Sequence, residues 1–379
     1  LKKYNSSEIK KLNMKNILRI LHINNPISRK DIVKLTDLRP SSVTRLTREL
    51  IEKGYIYEEG IYEDNAPGRK KILLNINKEA FISLIVDVGV NETIIGFGYF
   101  NGYVEILKKI LTPKDPEEFF YEIKKFYMKY KKIKNIKILS FSIPGLVDVE
   151  KNIILLAPNL GWKNVNIEQF LKLDIPILAD NEANLSVIAE KYHAKDLKNI
   201  SNIVFVEIRE GIGTGIIINN QLYRGFSYSG GEFGHTVINM NSKEQCHCSR
   251  QGCWEQYGSI LNVIKNYEGI IEGKDPIEKF ENLKRQPNAK KTLLNWAENN
   301  AIGMANIINA LNPEALIIGG ELSDMPIYFY EYLIKKIREN SLPFSSKKTI
   351  IRPTIFKKYN SNLVGACIFS INKHIEEIK

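Results

Sequence analysis

The sequence predicts an α/β chain of two duplicated lobes behind a small N-terminal winged helix–turn–helix domain. Three observations predict it. Residues 1–75 hold 16 Lys or Arg against 9 Asp or Glu, so this fifth of the chain carries +7 of a net charge of +11. From Phe81 onward a strand–hairpin–helix–strand order occurs and then recurs. Three of the four cysteines fall within the eight residues Cys246 to Cys253, which marks a local site in the second half.

The N-terminal elements come first. Ile17, Leu18, Ile20 and Leu21 have helical spacing, and Pro26 breaks that helix. Ser28 is a good N-cap for the next helix, with Asp31 three residues on as a partial capping box. After a turn over Thr36 to Pro40, Ser41 caps a third helix, Ser42 to Lys53, with Val43, Leu46, Leu50 and Ile51 inward and Gly54 at its end. Ser42, Thr44, Arg45 and Arg48 project from its polar face. With Ser41, they are side chains that read base edges or hold phosphates in a major groove. Tyr55-Ile-Tyr and Lys71-Ile-Leu-Leu-Asn are strand-like, and the link between them turns basic at Gly68-Arg69-Lys70-Lys71. This reads as a wing, with Arg69 and Lys70 placed to meet DNA at a minor groove. A protein–protein module with a solvated basic face has the same charge pattern. Recognition-helix chemistry and wing together favour DNA.

The remaining three hundred residues change character. Ile82 to Gly89 is a buried-type strand. Thr93 to Phe100, the turn Asn101-Gly102 and Val104 to Lys108 form a hairpin, followed by a helix over Glu117 to Lys131 and a strand over Ile136 to Ser142. The order returns with the strand Asn202 to Glu207, a glycine turn over Gly211-Ile-Gly213-Thr-Gly215, a strand over Ile216 to Asn219, late helices, and a strand over Ala315 to Ile318 before Gly319-Gly320. Two such halves imply duplicated lobes with a cleft between them.

Cys246 and Cys248 are too close in sequence for a relaxed disulfide with each other. His235, Cys246, Cys248 and Cys253 suit one tetrahedral zinc ion, in a run that is polar and rich in turns. The bland alternative is three buried free cysteines. Four protein ligands leave no open coordination position, which makes the metal structural. Cys367 lies in an apolar stretch and reads as packing, as do Trp162 and Trp254, although either indole has a flat face on which a ligand could stack. Hydrophobic content is 44%, ordinary for a globular chain, and no apolar run approaches the ~20 residues of a membrane span. The opening residues are charged and polar, so the chain reads as cytoplasmic with reduced thiols and no membrane partner.

The motifs, taken in order, resemble a family. They are Asp87-Val-Gly89, Ile143-Pro144-Gly145, Asn181-Glu182-Ala183-Asn184, Gly211-Ile-Gly213-Thr-Gly215, Gly231-Glu232-Phe-Gly234-His235, the Cys246–Cys253 segment with Glu255, Asn312-Pro313 and Gly319-Gly320. From about residue 80 to the end this set resembles the ROK family of repressors, open reading frames and kinases, and among its branches is most similar to the xylose repressors. The resemblance implies an actin-like, hexokinase-like ATPase fold of two lobes behind the winged helix. Expected boundaries are 1–75 for the DNA-binding domain, 80–179 plus 363–379 for the first lobe, and 180–362 for the second lobe with its zinc loop. The resemblance further implies that Gly145, Asn159, Asn181, Glu182, Glu232, His235 and Glu255 line a sugar site. His235 would serve both zinc and sugar through its two ring nitrogens.

What the resemblance implies about activity turns on departures. Glu182 stands where the family's kinases carry an aspartate base, and a base displaced by about 1 Å can cost on the order of 10²-fold in rate. Val90 and Asn91 replace the second glycine and the threonine of the first phosphate loop, and a β-branched residue there blocks close approach of phosphate. The chain therefore reads as a sugar-responsive repressor without catalytic residues. It would bind a palindromic operator as a homodimer or dimer of dimers, with a sugar such as xylose as effector. The competing reading is an ATP-dependent sugar kinase of the glucokinase or N-acetylglucosamine kinase type.

Overall fold

The computed structural model describes residues 5–62, 71–356 and 360–378. They fall into two compact units. One comprises Leu1–Pro144, Val149–Ala179 and Ala366–Lys379, the other Gly145–Asp148 and Asp180–Gly365.

The first unit opens with α1 (Ser6–Asn24). A full capping box starts it: Asn5 Oδ1 accepts from the Glu8 amide at 2.8 Å, and the Asn5 amide donates back to Glu8 Oε2. The helix therefore begins earlier than its apolar stripe suggests, and it buries Met14, Ile17, Leu18 and Leu21. A short strand, β1 (Ile27–Ser28), leads into α2 (Arg29–Thr36), which Ser28 caps through the Asp31 amide as expected. The third helix, α3 (Pro40–Glu52), corrects one expectation. Arg39 occupies the N-cap and Pro40 the first helical position, where a missing N–H costs nothing, so Ser41 lies inside the first turn and caps nothing. Thr47, rather than Ile51, joins Val43, Leu46 and Leu50 in the buried face. Its hydroxyl is satisfied there by Arg29 Nε at 2.9 Å. β2 (Ile56–Tyr62) and β3 (Lys71–Ile76) pair antiparallel, and β1 completes a sheet of order β1-β3-β2.

A larger sheet follows in the same unit. β4 (Ile82–Val88), β5 (Glu92–Tyr99) and β6 (Val104–Leu111) form an antiparallel meander. After α4 (Pro116–Tyr130), β7 (Ile136–Ile143) lies parallel to β4. β8 (Leu146–Asp148) belongs to the second unit. The hairpin of β9 (Ile153–Ala157) and β10 (Trp162–Asn166), then α5 (Ile167–Leu171) and β11 (Ile177–Asn181), complete this stretch. The sheet order is β11-β7-β4-β5-β6. β4 is buried at every residue, which is why it is mostly apolar, with Ser83 and Asp87 its two buried polar positions. Trp162 is core, with Nε1 donating to the Lys114 carbonyl at 2.8 Å.

The second unit repeats that topology. α6 (Glu182–His193) precedes β12 (Ile203–Ile208), β13 (Ile212–Ile218) and β14 (Gln221–Leu222). Then come α7 (Glu255–Gly258), α8 (Ile260–Lys265), α9 (Pro276–Lys284) and the long α10 (Ala289–Leu311). β15 (Ala315–Gly320), α11 (Ile327–Asn340), α12 (Pro343–Ser346), β16 (Ile350–Pro353) and α13 (Asn360–Glu377), which from Ala366 onward belongs to the first unit, close the chain. The sheet order is β14-β13-β12-β15-β16, with β12–β13 and β13–β14 antiparallel and β12–β15 and β15–β16 parallel. Each five-stranded sheet thus reads third, second, first, fourth, fifth in order of occurrence. That is the duplication expected from the sequence.

The glycine turn requires a correction. Gly213 and Gly215 lie inside β13, and only Gly211 falls at the β12–β13 turn. A β-carbon on Gly215 would stand 2.0 Å from the Ala183 carbonyl oxygen, so this glycine lets α6 lie directly on β13. The core beneath collects Trp254, Trp296, Phe280, Phe329 and the apolar face of α10. Among the described residues no helix is long and apolar enough to cross a membrane.

Candidate functional site

Two groups of side chains have chemistry beyond packing. The first is the outer face of α3. Ser41, Thr44, Arg45 and Arg48 are exposed and Ser42 is half-buried. Thr44 spends its hydroxyl on the Pro40 carbonyl at 2.9 Å. Arg29 ties the domain together by donating to Thr47 and to Glu58, the latter at 2.7 Å, so it is a strut rather than an open contact. Arg39, at the N-cap of α3, is exposed as well. Arg69 and Lys70 lie outside the described residues.

The second group is in the second unit, built on the loop from Gly231 to Glu255. His235 closes a 3-10 turn, Phe233–His235. The chain then folds back on itself: the Cys246 amide donates to the Arg250 carbonyl at 2.8 Å, the Ser249 amide donates to the Cys246 carbonyl at 2.8 Å, and Val237 bridges Cys253. Gly252, at φ 78°, approaches the Asn239 carbonyl so closely that a β-carbon would stand 2.0 Å from its oxygen. These turns bring His235, Cys246, Cys248 and Cys253 together, each offering one ligand atom within 4.8 Å of the others. His235 Nδ1 is 3.6 Å from Cys246 Sγ, and Cys248 Sγ is 3.6 Å from Cys253 Sγ. A tetrahedral ion with metal–sulfur bonds of about 2.3 Å separates its ligand atoms by about 3.7 Å, so the four residues fit one metal ion.

The electrostatics suit the same group. Burial pushes the Cys253 thiol up to about 12 and raises Cys246 as well. At Cys248 burial also acts upward but is outweighed by hydrogen bonds from the Arg250 backbone and side chain, and the thiol is lowered. Burial lowers His235, which keeps its imidazole neutral, as a metal ligand requires. A divalent cation is the agent that would convert such buried thiols to thiolates.

Around this loop stand the carboxylates. His235 Nε2 lies 3.9 Å from Glu232 Oε2, on the ring edge away from the cysteines. Glu255 Oε2 accepts from the Ile212 amide at 3.0 Å, and Glu255 Oε1 meets His247 Nδ1 at 3.1 Å. Trp254 is wholly buried, donates from Nε1 to Asn300 Oδ1 at 3.1 Å and packs on Gly303, so it anchors the loop rather than facing a ligand. Asn181 caps α6 through the Ala183 and Asn184 amides and donates from Nδ2 to the Gly145 carbonyl at 2.9 Å. Glu182 meets Arg209 at 3.3 Å. Asp180 is buried. It accepts from Arg224 Nε at 3.1 Å, from the Asn181 amide and from Asn184 Nδ2. Asn159 lies in the first unit, exposed in the 3-10 turn Pro158–Leu160.

Sequence reasoning missed Arg209, Arg224 and His247. His247 had a legible signal, standing between two cysteine ligands. The pairings of Arg209 with Glu182 and of Arg224 with Asp180 had none, since those partners are 27 and 44 residues apart in sequence.

Comparisons with known proteins agree with this layout. The profile of the ROK family matches residues 84–372, and that of the MarR family matches residues 15–64. The xylose repressor of Caldicellulosiruptor bescii is 32% identical over 390 residues, covering 96% of this chain and 96% of that protein. The crystal structure of a ROK family transcriptional regulator, described as a homologue of the E. coli MLC protein, superposes with a TM-score of 0.79 at 25% identity, covering 97% of this chain and 96% of that one. A ROK family glucokinase from Streptomyces griseus, in complex with glucose and AMPPNP, superposes with a TM-score of 0.66 at 22% identity. It covers 76% of this chain and 98% of that one.

Proposed function

The chain belongs to the ROK family, and from that premise we propose that it is a sugar-responsive transcriptional repressor. The carrying observation is that it matches a xylose repressor along 96% of its length and has both an exposed polar face on α3 and the His235–cysteine cluster. Residues 1–75 would bind operator DNA, with Arg45 and Arg48 at the major groove. Two copies, or a dimer of dimers, would match a palindromic operator in the cytoplasm.

The effector would be xylose or another simple aldose, held by hydroxyl contacts to Glu182, Glu232, His235 and Glu255. Carboxylates accept hydroxyl hydrogen bonds, and a neutral polyol needs no counter-charge. Zinc would be structural, held by His235, Cys246, Cys248 and Cys253. When bound it supplies a rigid, charge-balanced knuckle. The chain's own residues then present His235 Nε2 and Glu255 to the sugar. Sugar would weaken operator binding only by having different affinities for the DNA-competent and DNA-incompetent states.

Two features support a sensor over a kinase. The carboxylate at the base position, Glu182, meets a guanidinium, and an ion-paired carboxylate is a weak proton acceptor. Gly215 serves the contact of β13 with α6, since a β-carbon there would meet the Ala183 carbonyl oxygen at 2.0 Å.

The test is a fluorescence-anisotropy titration on labelled duplexes tiled across the DNA flanking the chain's own gene, repeated with D-xylose, D-glucose and N-acetyl-D-glucosamine. A tight site that weakens with one sugar is expected. No tight site under any condition, or brisk ATP-dependent phosphorylation of one of these sugars, overturns the reading.

A further inference from the structure

One cation of the second unit serves two carboxylates at once. Arg209 Nη2 lies 2.6 Å from Glu207 Oε1, and its Nη1 lies 3.3 Å from Glu182 Oε2. All three side chains are largely buried, at 13%, 3% and 18% exposure in the order Arg209, Glu207, Glu182, so water screens the pairs little. Glu182 is the first residue of α6, and Glu207 lies in β12.

The backbone of the same turn reaches a third carboxylate. The Ile212 amide donates to Glu255 Oε2 at 3.0 Å. Gly211 comes so close that a β-carbon there would stand 2.9 Å from the same oxygen. The turn is itself pinned: the Arg209 amide donates to the Gly211 carbonyl at 2.9 Å, and the Arg209 carbonyl accepts from the Ile260 amide at 2.9 Å. Residues 209–212 therefore grip Glu182 through a side chain and Glu255 through the main chain.

We propose that Arg209 is a positioning residue for effector recognition, which together with the Ile212 amide fixes the separation of the Glu182 and Glu255 carboxylates so that the site reads the spacing of two hydroxyls on an uncharged sugar. This rests on the sugar-sensor reading above. A glutamate has three side-chain torsions, and freezing them before the ligand arrives removes an entropic cost from binding. Arg209 directs its donors to Glu182 and Glu207, so it acts through those carboxylates rather than by recruiting an anionic group on the ligand. A carboxylate held in place also rejects a hydroxyl of the wrong stereochemistry, because it cannot swing to meet it.

Isothermal titration with D-xylose, D-glucose and N-acetyl-D-glucosamine on the full chain tests this, using wild type, R209M, R209K, E182Q and the R209M/E182Q double variant. For the sugar that wild type binds best, R209M weakens affinity by about tenfold or more and narrows the preference for that sugar over the other two. R209K recovers part of the loss, since one ammonium reaches one carboxylate. The double variant binds no worse than the weaker single, because both changes undo one contact. Operator affinity without sugar is the same in wild type, R209M and R209K. Losses that multiply in the double variant, or an R209M that binds and discriminates like wild type, overturn the proposal. If R209M loses operator binding or its circular-dichroism signature, it has unfolded, and the R209K, E182Q and R209K/E182Q cycle decides by the same criterion. Wild type that binds operator but none of the three sugars removes the sugar reading and this inference with it. Wild type that binds a sugar while R209M matches it removes this inference alone.

Discussion

Nδ1 of His235 lies 3.6 Å from Sγ of Cys246, while the ring's Nε2 faces the opposite way, toward Glu232. One imidazole thereby joins the cysteine cluster to the carboxylate wall. A metal on Nδ1 would fix the ring plane and with it the direction of Nε2.

Zinc removal is therefore expected to abolish sugar sensing without disturbing DNA recognition. The purified chain is expected to carry about one zinc per molecule, and Cys248→Ser substantially less. In an anisotropy titration Cys248→Ser binds operator like wild type but no longer responds to sugar. Elemental analysis reports the metal, and an unchanged sugar response in metal-depleted protein would show that the loop works without it.

Glycine substitutions in β13 separate packing from nucleotide binding. A β-carbon at Gly215 meets the Ala183 carbonyl oxygen at 2.0 Å, whereas at Gly213 it meets the Ala183 β-carbon at 3.4 Å. Gly215→Ala forces α6 off the sheet and costs about 1–3 kcal/mol. Gly213→Ala fits and changes stability by less than about 1 kcal/mol. Urea denaturation of both variants checks this, and equal losses would contradict the packing account.

The difference between what the sequence made legible and what it did not follows the range of the interactions. The duplicated sheets were readable because each buried strand writes its own apolar run, as Ile82–Val88 and Ile203–Ile208 do. The grouping of His235 with the cysteines was readable because three of its four members crowd into eight residues. The start of α3 was misplaced by two residues because Ser41 and Arg39 compete for the cap, and Pro40 decides between them through a fixed φ and a missing donor. The turn expected over Gly211 to Gly215 was placed too far along the chain because a glycine in a turn and a glycine in a strand under a helix look alike until Ala183 is seen against Gly215. Arg209's pairing with Glu182 was invisible for a related reason: it is set by the meeting of α6 with β12, which no local pattern encodes.

The exposed arginines of α3 set the DNA prediction. Arg45→Ala and Arg48→Ala are each expected to weaken operator binding by roughly 1–3 kcal/mol. A residue that touches only phosphate also lowers the slope of log K against log salt by about one, while one that reads a base relaxes preference at one operator position. Binding isotherms at several salt concentrations and on single-base operator variants distinguish the two. An arginine variant that binds operator like wild type at every salt is not at the interface.

Acid is expected to destabilise the chain through His22. This α1 residue packs edge-on against Phe100, with ring centroids 4.7 Å apart, and burial holds its imidazole down to about 3. His374 is lowered by burial as well, stacked on Phe81 and edge-on to Phe100. The sign follows from proton uptake. Unfolded His22 binds a proton below about 6.5, while the folded residue stays neutral until pH approaches 3. The unfolded state therefore holds more protons in this window, and stability falls as pH drops from about 6.5 toward 3. At 1.36 kcal/mol per pH unit, His22 alone costs about 2 kcal/mol between pH 7 and pH 5. His22→Leu keeps an apolar side chain against Phe100 and removes the titration, so its urea midpoint falls less over the same interval. Equal losses in wild type and His22→Leu would mean that the imidazole is hydrated in the folded chain and does not contribute to its acid sensitivity.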